Sequence, residues 1–421
     1  MKREYKDSGV DWIGKIPQDW KTNKFKHLFR IKKELAGKLG YDVLSVTQQG
    51  LKVKNIKINE GQVANDYTNY QLVFPNDFVM NHMDLLTGYV DVSKQEGVTS
   101  PDYRTFYTIQ PKNINNQYYL YIFQLCYKAR LFYNLGQGVS NYGRWRLPAE
   151  QQKEFVLPYP SIIEQQQIAE YLNKKCGEID GLIVLQEKMI EKLKDYKQSI
   201  ITEAVTKGID PNVELTPSNI SWVGTIPSHW SIQRNKNAFI CGKEIIGEQS
   251  SSTQLLSLTT KGVKTIKLGS TSGKVPESYD TYQIVMPNNL VMCLFDLDCS
   301  AVFAGISNYY GMISPAYKVL SCKNAIIPQY ANYWFIFVFY GRKFKYYSKN
   351  IRYSLTYEEF SAIEIVLPPL SEQVTIASYL DKKCSEIDKL IDVKQLKIEK
   401  LKDYKKSVIY EAVTGKINIE S

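Results

Sequence analysis

The sequence predicts a mixed α/β protein written twice: two homologous globular domains joined by two long helices that pair as an intramolecular antiparallel coiled coil, with a pseudo-two-fold axis relating the halves. Three observations carry this. The second half restates the first at an offset of about 210 residues. The best-matched part of that repeat spaces its apolar residues at alternating steps of four and three, which is a coiled-coil seam. The length, 421 residues, exceeds one ordinary hydrophobic core and fits two to three domains.

In chain order, the repeat opens on Trp12-Ile13-Gly14-Lys15-Ile16-Pro17-Gln18-Asp19-Trp20, which returns as Trp222-Val223-Gly224-Thr225-Ile226-Pro227-Ser228-His229-Trp230. The chain has only six tryptophans, so two pairs matched at one spacing mark a shared framework. Leu44-Ser45-Val46-Thr47 with Gly50 returns as Leu256-Ser257-Leu258-Thr259 with Gly262, the pattern of a strand running into a turn. Tyr70-Gln71-Leu72-Val73-Phe74-Pro75-Asn76 returns as Tyr282-Gln283-Ile284-Val285-Met286-Pro287-Asn288, and Ser100-Pro101-Asp102-Tyr103 as Ser314-Pro315-Ala316-Tyr317. Between these anchors the halves diverge, around 82–97 against 294–311 and 110–150 against 322–360. One scaffold carrying different loops suggests one job done on two targets. The globular domains are expected over residues 1–160 and 209–369.

The long helices are expected over 161–208 and 370–421. Of 46 aligned positions, Glu164 to Ile209 against Glu372 to Ile417, 29 are identical. The seam reads Leu172, Cys176, Ile179, Ile183, Ile190, Leu193 and Ile200 in the first copy, and Leu380, Cys384, Ile387, Ile391, Ile398, Leu401 and Val408 in the second. Gln186 and Lys197, with Lys394 and Lys405, interrupt it as polar insertions that could fix register. Pro158 and Pro160, or Pro368 and Pro369, precede the helices, and Gly208 or Gly415 sits near their ends. A span of about 38 residues would reach roughly 57 Å, the size of a spacer.

Composition narrows the function. No apolar run approaches the length of a membrane helix, and the charged start Met1-Lys2-Arg3-Glu4-Tyr5-Lys6-Asp7 lacks the layout of a secretory signal, so a cytoplasmic location is expected. The seven cysteines form no C-x-x-C pair and read as reduced core thiols. A formal charge of +10 suits a polyanionic partner, and 31 tyrosines can stack and hydrogen-bond beside the cations. No catalytic constellation and no metal cluster is expected with three histidines, and no methyltransferase Gly-rich loop with its Asn-Pro-Pro-aromatic partner is present. Gly269-Ser270-Thr271-Ser272-Gly273-Lys274-Val275 is one residue short of a phosphate loop, and Val275 stands where a magnesium-binding Ser or Thr belongs, so it reads as a hairpin turn.

The closing stretches Leu157-Pro158 through Glu164-Gln165 to Ile168, and Leu367-Pro368 through Glu372-Gln373 to Ile376, complete a pattern of two variable domains, each opened by W-x-G-x-I-P-x-x-W and closed by L-P…E-Q-x-x-I into a long helix. Over essentially its full length the chain resembles the specificity subunit of a Type I restriction-modification enzyme. The second closing stretch is tighter by one or two residues, a minor departure. The resemblance implies target recognition domains that each read one half of a bipartite site in double-stranded DNA, with paired helices setting the gap between halves. It further implies docking of two modification (methyltransferase) subunits using S-adenosylmethionine and of restriction/translocase subunits using ATP and Mg, with no cofactor on this chain.

Base edges are read by Arg or Lys on guanine and by Asn or Gln on adenine, which directs attention to polar, Gly-rich, divergent loops. Three places qualify. The first is the turn Thr47-Gln48-Gln49-Gly50 with its counterpart Thr259-Thr260-Lys261-Gly262, offering Gln48, Gln49, Thr260 and Lys261. The second runs from Gly136 to Arg146, offering Ser140, Asn141, Tyr142, Arg144 and Arg146, with Lys349, Asn350, Arg352 and Tyr353 as its counterparts. The third is Asn81-His82-Met83-Asp84 against Cys293-Leu294-Phe295-Asp296; because Leu294 stands where His82 does, acid-base chemistry common to both halves is excluded, and the aspartates are expected to organise loops. Trp12, Trp20, Trp222 and Trp230 are expected to be packing anchors, since duplex DNA offers no free base face without flipping. Two rival functions share these features: the specificity subunit of a Type II system with a fused methyltransferase-nuclease, and a duplicated coiled-coil scaffold that binds only proteins.

Overall fold

The structure, a computed structural model, describes residues 3–54, 66–138, 145–242, 244–259, 262–267, 278–298, 304–348 and 353–419. The chain divides into two compact units, residues 1–186 with 396–421, and residues 187–395.

Unit 1 is built on two small sheets. In one, the strands run in the order Phe29–Lys32, Arg104–Thr108, Phe78–Met80, Val90–Val92, all antiparallel. In the other the order is Gly50–Val53, Val43–Thr47, Gly97–Thr99, Gln71–Val73, with a single parallel pairing between Val43–Thr47 and Gly97–Thr99. The helix Asn116–Lys128 packs on the first sheet: nine of its residues are buried, and Phe123 meets Phe25, Phe29, Phe78 and Phe106 at ring separations of 5.4 to 5.9 Å. Asn115 caps that helix by accepting from the Tyr118 N–H.

Unit 2 repeats the plan strand for strand. Its sheets run Phe239–Cys241, Lys318–Cys322, Leu290–Met292, Ala304–Ile306, and Gly262–Ile266, Leu255–Thr259, Gly311–Ile313, Gln283–Val285, again with one parallel pairing. The helix Pro328–Tyr340 takes the place of Asn116–Lys128.

The matched tryptophans tie strand to helix. Trp20 is buried, and its indole N–H donates to Glu164 Oε1 at 3.0 Å; Trp230 donates to Glu372 Oε2 at 2.9 Å. Burial alone would push the Glu164 carboxyl up, yet hydrogen bonds from Trp20, Arg3 and Ser161 hold it below its ordinary value. The adjoining glutamines are fully buried: Gln165 donates to the Asn113 and Pro160 carbonyls and accepts from the Asn115 N–H, and Gln373 repeats this with Ala325, Pro368 and Ile327.

The long helices span Ile162–Lys207 and Leu370–Val413, 46 and 44 residues. They lie within the expected 161–208 and 370–421, and they outrun the seam because both ends are buried in globular cores. Leu172 and Cys176 join the core of unit 1 together with Val408, Ile409, Ala412 and Val413 from the end of the second helix. In unit 2 the core includes Leu380, Cys384 and Ile387 together with Ile200, Ile201, Ala204 and Val205 from the end of the first. Each domain is thus finished by the tail of the other repeat's helix. Within each unit the paired segments run antiparallel: Cys176 shares a core with Val408 while Asp180 takes the ammonium of Lys405 at 2.6 Å, and in unit 2 Lys197 meets Asp388 at 2.7 Å while Met189 meets Lys394. Leu193, Ile391 and Leu401 are half-buried and the other seam residues buried; Gln186 is buried as well. Gly208 and Gly415, at φ 76° and 73°, close the helices in the left-handed conformation, and the second helix therefore stops at Val413.

Among the described residues, the six cysteines are free thiols, and no helix is long and apolar enough to cross a membrane.

Candidate nucleic-acid interface

In unit 1 the three candidate places meet. Gln48 and Gln49 form the exposed tip of the hairpin Val43–Thr47/Gly50–Val53, where Gly50 turns at φ 104° and Thr47 Oγ1 donates to the Gly50 carbonyl at 2.8 Å. The Gln48 amide donates to the Thr87 carbonyl at 3.3 Å, and Gln49 Oε1 accepts from Lys52. Thr87 belongs to the loop of the third place, where the Asp84 carboxylate accepts from the Leu86 and Thr87 N–H groups, each at 3.0 Å. That loop binds the end of the second place: Leu85 N–H donates to the Trp145 carbonyl and Leu147 N–H to the His82 carbonyl. Arg146 is exposed and exchanges two backbone hydrogen bonds with Gln137. Unit 2 repeats part of this net, Leu297 donating to the Tyr353 carbonyl and Leu355 to that of Leu294. Tyr353 sits at φ 44° with the Lys345 ammonium over its ring at 4.6 Å. Ser140, Asn141, Tyr142, Arg144, Thr260, Lys261, Lys349, Asn350 and Arg352, with the Gly269–Val275 turn, lie outside the described residues.

Beneath the surface of unit 1, Arg104 is buried and donates to Gln152 Oε1 at 2.5 Å and to the Leu147 carbonyl at 3.1 Å, bracing the chain just after Arg146. His82 is buried beside it. Burial first, then the charges of Arg104, Arg146 and Lys33, pull its pKa down to about 3, so it is neutral at physiological pH. The unfolded chain takes up a proton near pH 6.5 that the folded unit refuses, so unit 1 loses stability as pH falls from about 6.5 toward about 3. His82→Leu, the residue unit 2 carries there, is expected to flatten this loss. Urea unfolding of both proteins across the window checks it, and equal slopes would contradict the assignment.

The four tryptophans are structural. Trp12 stacks on Phe155 at 5.5 Å with its N–H on the Val156 carbonyl, and Trp222 donates to Tyr347 and packs against Trp334 and Phe337. What motif reading missed is an absence: residues 103–149 and 299–357 contain no Asp or Glu, although the chain has 43, while carrying six and seven Lys or Arg. These stretches hold the second candidate place of each half, so its cations face no competing carboxylate from their own segment.

Comparison with known proteins decides the family. The model of the Type I restriction modification DNA specificity domain matches residues 17–201 and 247–403. The chain belongs to this family. It is a non-catalytic specificity subunit with two DNA specificity domains, one per half. Two Methanocaldococcus jannaschii proteins are each 24% identical to this subunit: a candidate type I restriction enzyme MjaX specificity subunit, aligned over 97% of this chain and 96% of its own, and the type I restriction enzyme MjaVIII specificity subunit, over 97% and 95%. The fold of the subunit matches a chain from a structure on complex assembly and conformational transition of the type I R-M system, at TM-score 0.72 and 11% identity over 96% of this chain and 99% of that one. It also matches the HsdS subunit from Thermoanaerobacter tengcongensis, at TM-score 0.50 and 10% identity over 96% and 98%.

Proposed function

We propose that this specificity subunit reads a two-part site in double-stranded DNA, one part per domain, with residues 1–160 and 209–369 as the recognition domains and the long helices as spacers that hold two methyltransferase subunits. The observation that carries the reading is one scaffold present twice, each copy holding a divergent cationic stretch, 103–149 or 299–357, without an acidic residue. A shared frame places each domain on the duplex through phosphates, and divergent side chains then discriminate bases in the major groove. Gln48, Gln49, Ser140, Asn141, Tyr142, Arg144 and Arg146 are the candidates for the first part. Thr260, Lys261, Lys349, Asn350, Arg352 and Tyr353 are the candidates for the second. The helices, identical at 29 of 46 aligned positions, offer two similar docking surfaces, which supports two methyltransferase copies. S-adenosylmethionine, ATP and Mg would be bound by the methyltransferase and restriction/translocase partners, which act on cytoplasmic DNA.

The test is a modified-base map of DNA from cells expressing this subunit with its methyltransferase partner, against cells lacking the subunit. A two-part methylated motif with a fixed unspecified gap is expected only when the subunit is present. An assembled, active complex that adds no subunit-dependent motif would refute the reading and favour a protein scaffold.

A further inference from the structure

Two arginines stand where a chain reversal ordinarily calls for glycine. The helix Asn116–Lys128 ends at Ala129, and Arg130 then takes φ 57° and ψ 26°; Pro328–Tyr340 ends at Gly341, and Arg342 takes φ 49° and ψ 35°. In this left-handed conformation a β-carbon crowds the neighbouring carbonyl, so glycine or asparagine is the usual occupant after a helix. Both units keep arginine. Both residues are exposed, and neither guanidinium finds a partner among the described residues. In unit 1 the helix dipole does not account for the placement, since Lys128 in the last turn already meets it from ordinary helical backbone.

Position gives the arginines a use. Each opens the short helical turn, Leu131–Asn134 or Lys343–Tyr347, on which the variable loop of its unit rests: Tyr133 stacks with Trp145 at 5.1 Å, and Lys345 lies over Tyr353. Both lie within the acid-free stretches 103–149 and 299–357. A strained backbone retained in both units, an unpaired exposed cation, and a segment of one charge sign together fit a polyanion better than a protein surface.

Resting on the DNA-reading function above, we propose that Arg130 and Arg342 each bind a phosphate of the duplex backbone beside the half-site read by their own unit, and so fix the register of the adjoining loop. They are positioning residues; the bases are read by the loops.

The test uses the complete complex with its methyltransferase subunits and a duplex carrying the motif mapped for the wild type, beside a scrambled duplex. Arg130→Gly and Arg342→Gly remove the cation while placing at each site the residue most at ease in left-handed backbone, so melting temperature should hold or rise. Affinity should fall on both duplexes alike, and the slope of log affinity against log salt should shrink by about 0.9 per arginine. Each deficit is then about three- to fourfold larger near 50 mM than near 200 mM salt. Arg→Lys at either site should recover most of the affinity, because a phosphate contact needs the charge, and the methylated motif should not change. Glycine variants with wild-type affinity and salt slope would overturn the proposal. So would a loss confined to assembly with the methyltransferase subunits, which would make an acidic protein surface the ligand. A wild-type complex without sequence-dependent affinity would instead refute DNA reading itself, and the proposal with it.

Discussion

Replacing Val413 by aspartate is expected to unfold unit 1 while leaving unit 2 folded. Val413 is the last residue of the second long helix, yet it is fully buried in the core of unit 1, and its carbonyl accepts the Tyr118 hydroxyl at 2.9 Å. Removing the valine forfeits about 1.5 to 3 kcal/mol of apolar burial. The carboxylate must then either be desolvated or bind a proton, and either adds a penalty of several kcal/mol. The total, on the order of 5 kcal/mol or more, is comparable with the whole stability of an ordinary domain. Hydrogen exchange resolved along the chain checks it: protection should vanish in Phe78–Met80 and Arg104–Thr108 and persist in Leu290–Met292 and Lys318–Cys322. Val205→Asp should give the mirror result, since Val205 is buried in the core of unit 2 and its carbonyl accepts from Tyr330. Uniform loss of protection in both units would show that they do not fold separately.

Trp20→Ala should be nearly as damaging. The ring is 1% exposed in the core of unit 1, with Arg3 over one face at 5.6 Å and the N–H on Glu164. Truncating a buried tryptophan costs about 3 to 5 kcal/mol, and for a domain of this size each kcal/mol lowers the melting point by about 2 to 4 °C. Trp20→Phe keeps much of the apolar volume and removes the donor, so its cost should be about 2 to 3 kcal/mol, that of one hydrogen bond to a charged group with modest repacking. Calorimetry on the pair separates these contributions. If Trp20 stacked on DNA instead, alanine would spare the melting point and abolish binding.

The repeat made most of the architecture legible. A tryptophan pair, a Leu-Pro strand and a Glu-Gln helix start are rare enough together that two copies at one offset leave little choice of organisation, and the seam periodicity marks which helix faces are buried. The candidate interface was legible only as loop positions. Convergence of Gln48, Thr87, Leu85 and Trp145 on one region depends on hydrogen bonds between residues 39 and 60 positions apart, which no local pattern encodes. The left-handed arginines were invisible for a different reason: Lys-Ala-Arg and Tyr-Gly-Arg look like ordinary helix ends, and the sign of φ at Arg130 and Arg342 depends on the short turn that follows.

The duplication, the two-domain mixed α/β plan and the long helices are legible in residue order, because period and repetition are its properties. Closure of each core by the tail of the other repeat's helix emerges in three dimensions alone. Ala204 and Val205, or Ala412 and Val413, read locally as the end of an amphipathic helix, and a helix end carries no record of which core will cover it. Both tails carry the same Glu-Ala-Val-Thr, so this stretch does not say which core each completes; antiparallel pairing along the seam, with Lys197 on Asp388 and Lys405 on Asp180, fixes it.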